Sequence, residues 1–381
     1  MKRNLVFLVL LCMMMSMCAC SVLPEPPAPP TPAPEFDIRP VVTEAQVFIG
    51  GKELKEVYNK NEAKYICLDE ILELQDGSIV TNASTKQPYT ASVTIGKTTY
   101  TISNEEDVLR EGDREHPLVL EPIYDGEKWY VPMAPIMSLL DYHMFEDTKR
   151  STYYFTKLPS TGNIPAGKNI PTLMYHAVSD ETWGIAELFV SPAELEKQLV
   201  YLKDNGYTTI TFEDFDNLAN IEKPVMLTFD DGYEDNYTNL LPLLKKYKAK
   251  ATVFVITGEI GKEHYMTATQ VKEMSDSGLV SIQSHTVSHP YLADVSEEKL
   301  ETELYDSKCT LARITRKEPF VLGYPNGSFS NASIAATENH YSFGLMMNGG
   351  MFTTGTHDLY QIPRIYISRD TDIYTFAYNL Q

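Results

Sequence analysis

Short apolar runs separated by turn residues fill the chain between residues 41 and 158. The runs are rich in Tyr, Val, Ile and Thr, and the dipeptides Gly50-Gly51 and Asp76-Gly77 mark turns between them. Residues 128–140 have the pattern of a strand followed by a short helix, and residues 153–155 that of a final strand. This pattern predicts a small β-rich α+β domain over residues 41–158.

A second pattern, in which strand and helix periods alternate, covers residues 170–381. Ser191, Thr267 and Ser296 are typical helix N-caps. Apolar runs of strand length recur at Thr172–Tyr175, Val225–Phe229, Ala251–Ile256, Val280–Gln283, Phe320–Gly323 and Arg364–Ser368. Repeated alternation of this kind predicts an α/β fold with a parallel sheet, either a barrel or an open sheet. A short linker over residues 159–169, which contains Gly and Pro, separates this domain from the first.

The first twenty residues have the pattern of an export signal. Lys2 and Arg3 form a positive start, and the apolar stretch from Leu5 to Met15 is too short to span a bilayer. The small residue Ala19 before Cys20 resembles a bacterial lipobox, which predicts a lipoprotein signal peptide over residues 1–20. Two acyl chains on Cys20 would give a stable membrane anchor. An ordinary cleaved signal peptide is the alternative.

A proline-rich segment, residues 21–40, follows the signal. Proline at this density favours an extended polyproline II spacer of ~3 Å per residue. Such a linker would hold the folded domains away from the membrane surface. Together with Cys20, it predicts an extracytoplasmic protein that is lipid-anchored to the bacterial cell membrane.

The charge of the chain narrows the possible partners. Its 52 acidic and 32 basic residues give a formal net charge of -20. A protein this acidic does not attract nucleic acid or anionic lipid through its net charge. It would tolerate a cationic polymer as a partner, although acidity of this size is also an ordinary aid to solubility.

Two adjacent carboxylates end one of the apolar strands, in the segment Thr228-Phe229-Asp230-Asp231-Gly232. The carboxyl end of a parallel strand is where active sites gather in α/β folds, and the glycine permits a sharp turn. Adjacent side chains point in different directions, so that one carboxylate can bind a metal while the other stays free as a base. Taken alone, the segment is equally typical of a solvated turn.

Two histidines four residues apart follow another strand, in Ser284-His285-Thr286-Val287-Ser288-His289-Pro290. This spacing can present both rings to one ion, and Pro290 indicates a loop or single turn rather than a long helix. Two nitrogens and one carboxylate leave a coordination position open for water, as in catalytic zinc sites. Zinc is therefore the divalent metal that this ligand set favours.

Together these residues resemble the polysaccharide deacetylase family, also called the NodB-homology family or carbohydrate esterase family 4. Thr228–Gly232 reproduces its first motif, and His285–His289 its second, His-(Ser/Thr)-x-x-His. The resemblance covers about residues 170–381 and implies a distorted (β/α) barrel with fewer than eight complete units. It also implies that Asp231, His285 and His289 hold the metal and that Asp230 is the general base. The element order of residues 41–158 is similar to the N-terminal stalk-like domain of copper amine oxidases.

Later motifs depart from the family pattern. Gly323-Tyr324-Pro325-Asn326-Gly327 replaces the usual Arg-x-Pro-(Tyr/Phe), and the late Leu-x-His is absent. Arg364 is therefore the candidate residue that orients the base, and a surface arginine is its alternative. His176 ends the first predicted barrel strand and is the candidate general acid, although it could instead be a buried structural histidine. The backbone N–H of Tyr324 is a candidate oxyanion donor.

The segments around His176 and Tyr324 resemble the subgroup that acts on poly-β-1,6-N-acetylglucosamine. The resemblance implies a metal-dependent hydrolase that removes N-acetyl groups from N-acetylglucosamine units of an extracellular polysaccharide. A peptidoglycan N-acetylglucosamine deacetylase and a non-catalytic glycan-binding lipoprotein are the alternatives. Intact residues Asp230, Asp231, His285 and His289 argue against the last of these, because a binding module has no need of a base beside an open metal site.

Overall fold

The computed structural model describes residues 45–60, 62–82 and 88–381. The predicted signal peptide, Cys20 and the proline-rich linker lie outside these residues. None of the helices in the described part of the chain has the length and apolar character that a membrane span requires.

The N-terminal region, residues 45–156, consists mainly of short strands in three small sheets. Its strands are β1 (Gln46–Ile49), β2 (Lys52–Glu53), β3 (Val57–Lys60), β4 (Ala63–Cys67), β5 (Ser78–Thr81), β6 (Thr90–Ile95), β7 (Thr98–Ser103), β8 (Val108–Glu111), β9 (Arg114–Pro117), β10 (Ile123–Tyr124), β11 (Trp129–Pro132), β12 (His143–Asp147) and β13 (Thr152–Thr156). Its helices are α1 (Leu68–Leu74) and α2 (Met133–Leu139). The strand orders are β12-β13-β1-β2, β10-β11-β4-β3 and β5-β6-β7-β8-β9. A β-rich region is therefore present as predicted; its likeness to the stalk-like domain stays a prediction.

The C-terminal part alternates strands and helices. Its strands are β14 (Asn169–Ile170), β15 (Thr172–Tyr175), β16 (Ala177–Val178), β17 (Phe189–Val190), β18 (Thr208–Ile210), β19 (Pro224–Phe229), β20 (Ala251–Val255), β21 (Val280–Ser284), β22 (Val321–Gly323), β23 (Phe343–Gly349), β24 (Phe352–Thr353) and β25 (Ile362–Tyr366). Its α-helices are α3 (Pro192–Asp204), α4 (Leu241–Tyr247), α5 (Ala268–Asp276), α6 (Glu297–Thr315), α7 (Asn331–His340) and α8 (Ile373–Asn379). A 3-10 helix covers Phe212–Asn220 and a π-helix covers Asn236–Leu240.

Seven parallel strands close into a barrel in the order β15, β19, β20, β21, β22, β23, β25 and back to β15. The closure joins Leu173 to Ile365 on one side and to Leu227 on the other. The eighth strand, β18, pairs with the first half of β19 rather than taking a place in the ring. The predicted α/β fold, a distorted barrel with fewer than eight complete units, is therefore confirmed.

Hydrophobic side chains pack against both faces of the barrel wall. Alternate residues of β19, such as Val225 and Leu227, join the cluster that includes residues of α3 and α4. Met226 belongs instead to a second cluster, with Phe212 and Phe215 of the 3-10 helix. This two-sided burial explains why the strands read as nearly continuous apolar runs. Polar side chains are then concentrated at the carboxyl ends of the strands.

Helix starts follow the capping signals in the sequence. The Ser191 hydroxyl accepts a hydrogen bond from the Glu194 N–H at 3.2 Å, and α3 begins at the next residue. Thr267 and Gln270 form a reciprocal capping box before α5. The Ser296 hydroxyl caps α6. Each cap satisfies a backbone N–H that has no partner inside its own helix.

The N-terminal region packs on α6 of the barrel, and the two belong to one compact unit. Phe48, Phe145 and Tyr154 of the N-terminal sheet share a buried cluster with Cys309 and Ala312 of α6. The boundaries predicted at residues 158 and 170 stay predictions. The packed surface nevertheless places α6 between the N-terminal region and the rest of the barrel.

Candidate active site

Loops at the carboxyl ends of five barrel strands surround one pocket of about 350 Å³. Asp230 and Asp231 follow β19, and His285 follows β21. The pocket is lined by His176, Asp230, Asp231, His285, His289, Tyr324 and Arg364, together with an apolar wall described below. All seven residues singled out from the sequence therefore lie around the same pocket, because parallel strands direct their carboxyl ends to one end of the barrel.

Asp231, His285 and His289 form a cluster with the geometry of a metal site. One ligand atom from each residue lies within 4.8 Å of the other two. Asp231 Oδ1 lies 3.6 Å from Nε2 of both histidines. Tetrahedral ligands at ~2.1 Å from an ion would be separated by about 3.4 Å, so the donor set and its spacing fit a divalent metal such as zinc.

The protonation states of the two histidines suit metal binding. Burial lowers the pKa of His285 to about 3, and burial also lowers the pKa of His289. His285 Nδ1 lies 2.8 Å from the Gly323 carbonyl oxygen, which makes Nδ1 the hydrogen-bond donor and leaves Nε2 facing Asp231 as a free acceptor. Both rings are neutral near pH 7 and can offer a lone pair to an ion.

Asp230 is held by Arg364 through a bidentate ion pair. Arg364 Nη1 donates to Asp230 Oδ1 at 2.7 Å, and Nη2 donates to Oδ2 at 2.8 Å. Arg364 is itself buried, and its Nε donates to the Met346 carbonyl oxygen at 2.6 Å. The arginine predicted as a substitute for the missing family arginine is thus in contact with the carboxylate rather than on the surface.

The pKa values of the two adjacent carboxyl groups are shifted in opposite directions. Burial by itself raises the pKa of Asp230, but the Arg364 guanidinium, with smaller contributions from His285 and His176, holds that pKa well below its usual range. Burial raises the pKa of Asp231. Asp231 has a left-handed backbone with φ of 74°, which turns its side chain away from that of Asp230. Carboxylates whose environments separate their pKa values are typical of divided roles in catalysis.

His176 lies at the edge of the same pocket, directly after β15. The residue is 9% exposed, and its ring meets the Tyr366 ring edge-on, with centroids 6.4 Å apart. Nδ1 is buried and has no hydrogen-bond partner among the described residues. Asn236 of the π-helix donates from Nδ2 to the backbone carbonyl of His176 at 3.0 Å, which fixes the end of the strand. The histidine is thus both buried and directed to the pocket.

The expectation that the backbone N–H of Tyr324 faces a substrate oxyanion is wrong. This N–H donates to the Leu345 carbonyl at 3.0 Å, because the pairing between β22 and β23 continues one residue past the strand end. The Tyr324 side chain is buried beside Phe329. Tyr324 lines the pocket without offering its main-chain donor.

The same pocket has an apolar and aromatic wall that no motif in the sequence indicates. Tyr233 and Tyr265 line this wall with Ile185, Leu188 and Met347. The ring centroids of Tyr233 and Tyr265 lie 5.1 Å apart. Tyr233 follows the Asp-Asp-Gly motif directly, but the chain has 24 tyrosines, so that none of them stands out by type.

Comparisons with known proteins identify relatives over the barrel. A sequence profile described as polysaccharide deacetylase matches residues 218–342. YxkH of Bacillus subtilis (strain 168), named as a polysaccharide deacetylase, is 34% identical over 205 residues, which cover 52% of this chain and 71% of that protein. A poly-β-1,6-N-acetyl-D-glucosamine N-deacetylase of Staphylococcus aureus (strain MSSA476) is 29% identical over 199 residues, or 48% and 68% of the two chains.

Solved structures show the same similarity. The Streptococcus pyogenes deacetylase PplD, in complex with acetate, is 33% identical with a TM-score of 0.53, and the match covers 56% of this chain and 99% of that one. A polysaccharide deacetylase from Bacillus cereus is 26% identical with a TM-score of 0.54, over 80% of this chain and 99% of that one. The second match extends beyond the length of the barrel and therefore includes part of the N-terminal region.

Proposed function

This chain belongs to the polysaccharide deacetylase family and is a polysaccharide N-deacetylase, and we propose that it uses a divalent metal to remove N-acetyl groups from N-acetylglucosamine units of an extracellular poly-β-1,6-linked polymer. The observation that carries the proposal is the arrangement of two adjacent carboxylates. Asp231 faces two neutral histidines, whereas Asp230 faces a guanidinium. A metal-dependent hydrolase of this kind needs both a metal site and a separate base, and these neighbours supply one of each.

Different residues of the pocket have different roles in hydrolysis of the acetamide. A divalent metal held by Asp231, His285 and His289, most simply zinc, would lower the pKa of a water molecule and polarise the acetamide carbonyl. Asp230 orients the attacking water and accepts its proton. The carboxylate can do so while paired with Arg364, because its two oxygens offer about four lone-pair sites and the guanidinium occupies only two. The products are acetate and a glucosamine unit.

The leaving amine needs a proton, and His176 is the residue that we propose supplies it. It lines the same pocket as Asp230, and its buried Nδ1 has no protein partner in the described part of the chain. Histidine is the side chain that most often serves as a general acid or base and can pass a proton to a departing group. Among the described residues, the two histidines of the metal cluster are the only other histidines that line this pocket.

The aromatic wall is suited to a sugar ring. Tyr233 and Tyr265 are half-buried and line the same pocket as the metal cluster. Apolar ring faces of a pyranose stack on such side chains, while the acetamide would point toward Asp230 and Asp231. The pocket volume of about 350 Å³ is at the small end for ligand sites, which fits one saccharide unit of a longer polymer.

The identity of the polymer is supported by similarity to the Staphylococcus aureus relative, which is named for its action on poly-β-1,6-N-acetyl-D-glucosamine. Peptidoglycan is the second candidate, because its N-acetylglucosamine units offer the same acetamide. We further propose that Cys20 anchors the enzyme outside the cell, where either polymer is present.

Acetate release from three matched substrates tests the proposal. Purified protein is incubated with β-1,6-linked and β-1,4-linked N-acetylglucosamine oligomers of equal length and with peptidoglycan, each with and without a chelator. We expect the fastest release from the β-1,6 oligomer and none after chelation. Faster release from peptidoglycan would reassign the substrate, and full activity in the chelator would contradict the metal-dependent mechanism.

A further inference from the structure

The loop that carries His289 has an unusual backbone. Thr286 and His289 both adopt left-handed conformations, with φ of 67° and 55°. Such a conformation is rare for any residue other than glycine and is especially unfavourable for a β-branched threonine. Backbone of this kind persists only where surrounding contacts determine it. The position of the second histidine ligand therefore depends on whatever holds the loop.

The side chain of Glu303, on α6, forms hydrogen bonds with this loop. Its Oε2 accepts hydrogen bonds from the backbone N–H groups of Val287 and Ser288, both at 2.8 Å. Its Oε1 accepts a further bond from the Ser288 hydroxyl at 2.6 Å. The side chain of Glu303 is fully buried, and Lys299 Nζ lies 2.8 Å from Oε1. One buried carboxylate thus satisfies three donors of a two-residue segment that lies between the two histidines.

The carbonyl side of the loop is held mainly by backbone, with one added hydrogen bond from the Thr257 hydroxyl to the Thr286 carbonyl at 3.4 Å. The N–H groups of Thr257 and Gly258 donate to the carbonyl oxygens of Thr286 and Val287, at 3.0 and 2.8 Å. These bonds fix the carbonyl side of the loop. On the N–H side, Ser284 Oγ accepts from the Thr286 N–H and Thr286 Oγ1 accepts from the His289 N–H, both at 3.1 Å, and Glu303 accepts from the two N–H groups between them. His285 has its own anchor in the Gly323 carbonyl, so His289 is the histidine whose place depends on the loop that Glu303 holds.

We propose that Glu303 is a positioning residue for the metal centre: its carboxylate fixes the Val287–Ser288 segment and thereby keeps His289 Nε2 within reach of the ion shared with Asp231 and His285. The inference rests on the metal site proposed above. Without the carboxylate, two backbone N–H groups lose their partner, and the loop relaxes toward a more ordinary backbone. The main consequence is weaker metal binding rather than a change in the base or the acid.

Three variants test this role. Glu303→Gln removes the negative charge and replaces one acceptor oxygen by an amide NH₂ group, which cannot accept from the N–H groups of Val287 and Ser288. Ser288→Ala removes only one of the three hydrogen bonds. Glu301→Gln is the matched control, since Glu301 is also a glutamate of α6 but pairs with His340 and does not contact the loop. Each apo protein is titrated with Zn²⁺ in competition with a chromophoric chelator, and its thermal unfolding is measured without metal.

We expect Glu303→Gln to bind Zn²⁺ about 10-fold to 100-fold more weakly than the control variant, in the range typical of residues that orient metal ligands. Ser288→Ala should show a smaller loss, about 3-fold to 10-fold. At saturating Zn²⁺, acetate release by Glu303→Gln should recover its kcat with an unchanged KM for the oligomer. A purely structural role would instead lower the unfolding temperature without this recovery.

The possible outcomes separate the proposals. Zn²⁺ affinity of Glu303→Gln within about twofold of the Glu301→Gln control would overturn the role of Glu303. If Glu303→Gln does not fold, Ser288→Ala decides the matter, and an unchanged affinity in that variant overturns the proposal. Failure of the unmodified protein to bind Zn²⁺ would overturn the metal centre itself, and the role of Glu303 with it.

Discussion

At the scale of single residues, the ion pair of Arg364 with Asp230 determines how the base can work. Burial alone raises the pKa of a carboxyl group, and it is the guanidinium that keeps the pKa of Asp230 low. The pairing therefore guarantees an ionised, oriented carboxylate at neutral pH. It also means that the pH profile of the enzyme should depend on Arg364.

Replacing Arg364 by Met should move the acid limb of the pH–rate profile to higher pH. The sign follows from the role: Asp230 acts only when deprotonated, and loss of the guanidinium raises the pKa of the buried carboxyl. The profile of kcat/KM against pH measures the shift. Arg364→Lys keeps the charge but not the bidentate fork, so its profile should lie between the two. An acid limb at the same pH in the Met variant and the unmodified enzyme would contradict the account.

Replacing His176 by Ala should lower turnover of the amide substrate by about 10²–10⁴, the range for general acid–base groups. The loss should be much smaller on an activated acetate ester, whose leaving group needs no proton. Bound metal, measured in the same preparations, should be unchanged. Equal losses on amide and ester, or a fall in metal content, would assign His176 a structural or metal-binding role instead.

Motif residues could be predicted because their chemistry is adjacent in the sequence. Arg364 lies 134 residues from Asp230, so the sequence could name it as a candidate, with a surface arginine as the alternative, but could not show its contact with the carboxylate. The N–H of Tyr324 was assigned wrongly because a strand end cannot be read to one residue. Glu303 gave no signal at all, since a glutamate on an acidic helix is ordinarily solvent-exposed.

At the scale of elements, β21 and β22 have the shortest strand pairing in the ring. The two strands share a single register pair, Ser284 with Leu322. The Gln283 side chain fills the gap: its carbonyl oxygen accepts from the N–H groups of Phe320 and Val321 at 2.8 and 2.9 Å. The side chain of buried Gln283, on β21, thus replaces the missing backbone hydrogen bonds between β21 and β22. The same strand leads directly to His285.

Gln283→Leu should lower the free energy of unfolding by about 2–6 kcal/mol, since it leaves two buried N–H groups unpaired at about 1–3 kcal/mol each. Denaturant-induced unfolding measures the change. Gln198→Leu is the matched control, because buried Gln198 accepts only one hydrogen bond, from the Tyr175 hydroxyl. Equal destabilisation by the two substitutions would show that Gln283 does not serve as a bridge between the strands.

Six of the seven ring strands could be predicted from their apolar runs, whereas β23 and the additional strand β18 could not. The strand β23, Phe343–Gly349, contains Gly344 and ends in a glycine pair, features that usually indicate a turn. Gly344 is needed there because a Cβ would lie 2.7 Å from the Tyr324 hydroxyl. The short strand β18 pairs only with part of β19 and has too few residues for a period.

At the scale of the whole molecule, the N-terminal region contacts the barrel through the same helix that holds the metal loop. Tyr305 of α6 accepts a hydrogen bond from the Thr148 N–H at 3.2 Å, and Lys149 Nζ lies 2.7 Å from Asp306. Buried Lys308 pairs with Glu318, which also contacts His143 of the N-terminal region. The sequence could predict two regions but not this shared surface, because the contacting residues are about 160 positions apart.

Replacing Cys20 by Ala should release the protein from the membrane fraction into the medium. The anchor would be lost with the acylated thiol, while the pocket, formed by residues 176–364, stays intact. Labelling with a palmitate analogue should disappear, and specific acetate release should be unchanged. Continued membrane association of the variant would contradict lipid anchoring at Cys20.

The central claim is that the two adjacent carboxylates have different tasks, and paired substitution tests it most directly. Asp230→Asn and Asp231→Ala are purified, and metal content and acetate release are measured on the same preparations. We predict that Asp230→Asn keeps its metal and loses about 10²–10⁴ in turnover, whereas Asp231→Ala loses the metal and, with it, the activity. Near-normal acetate release by Asp230→Asn, or full metal content in Asp231→Ala, would contradict the account.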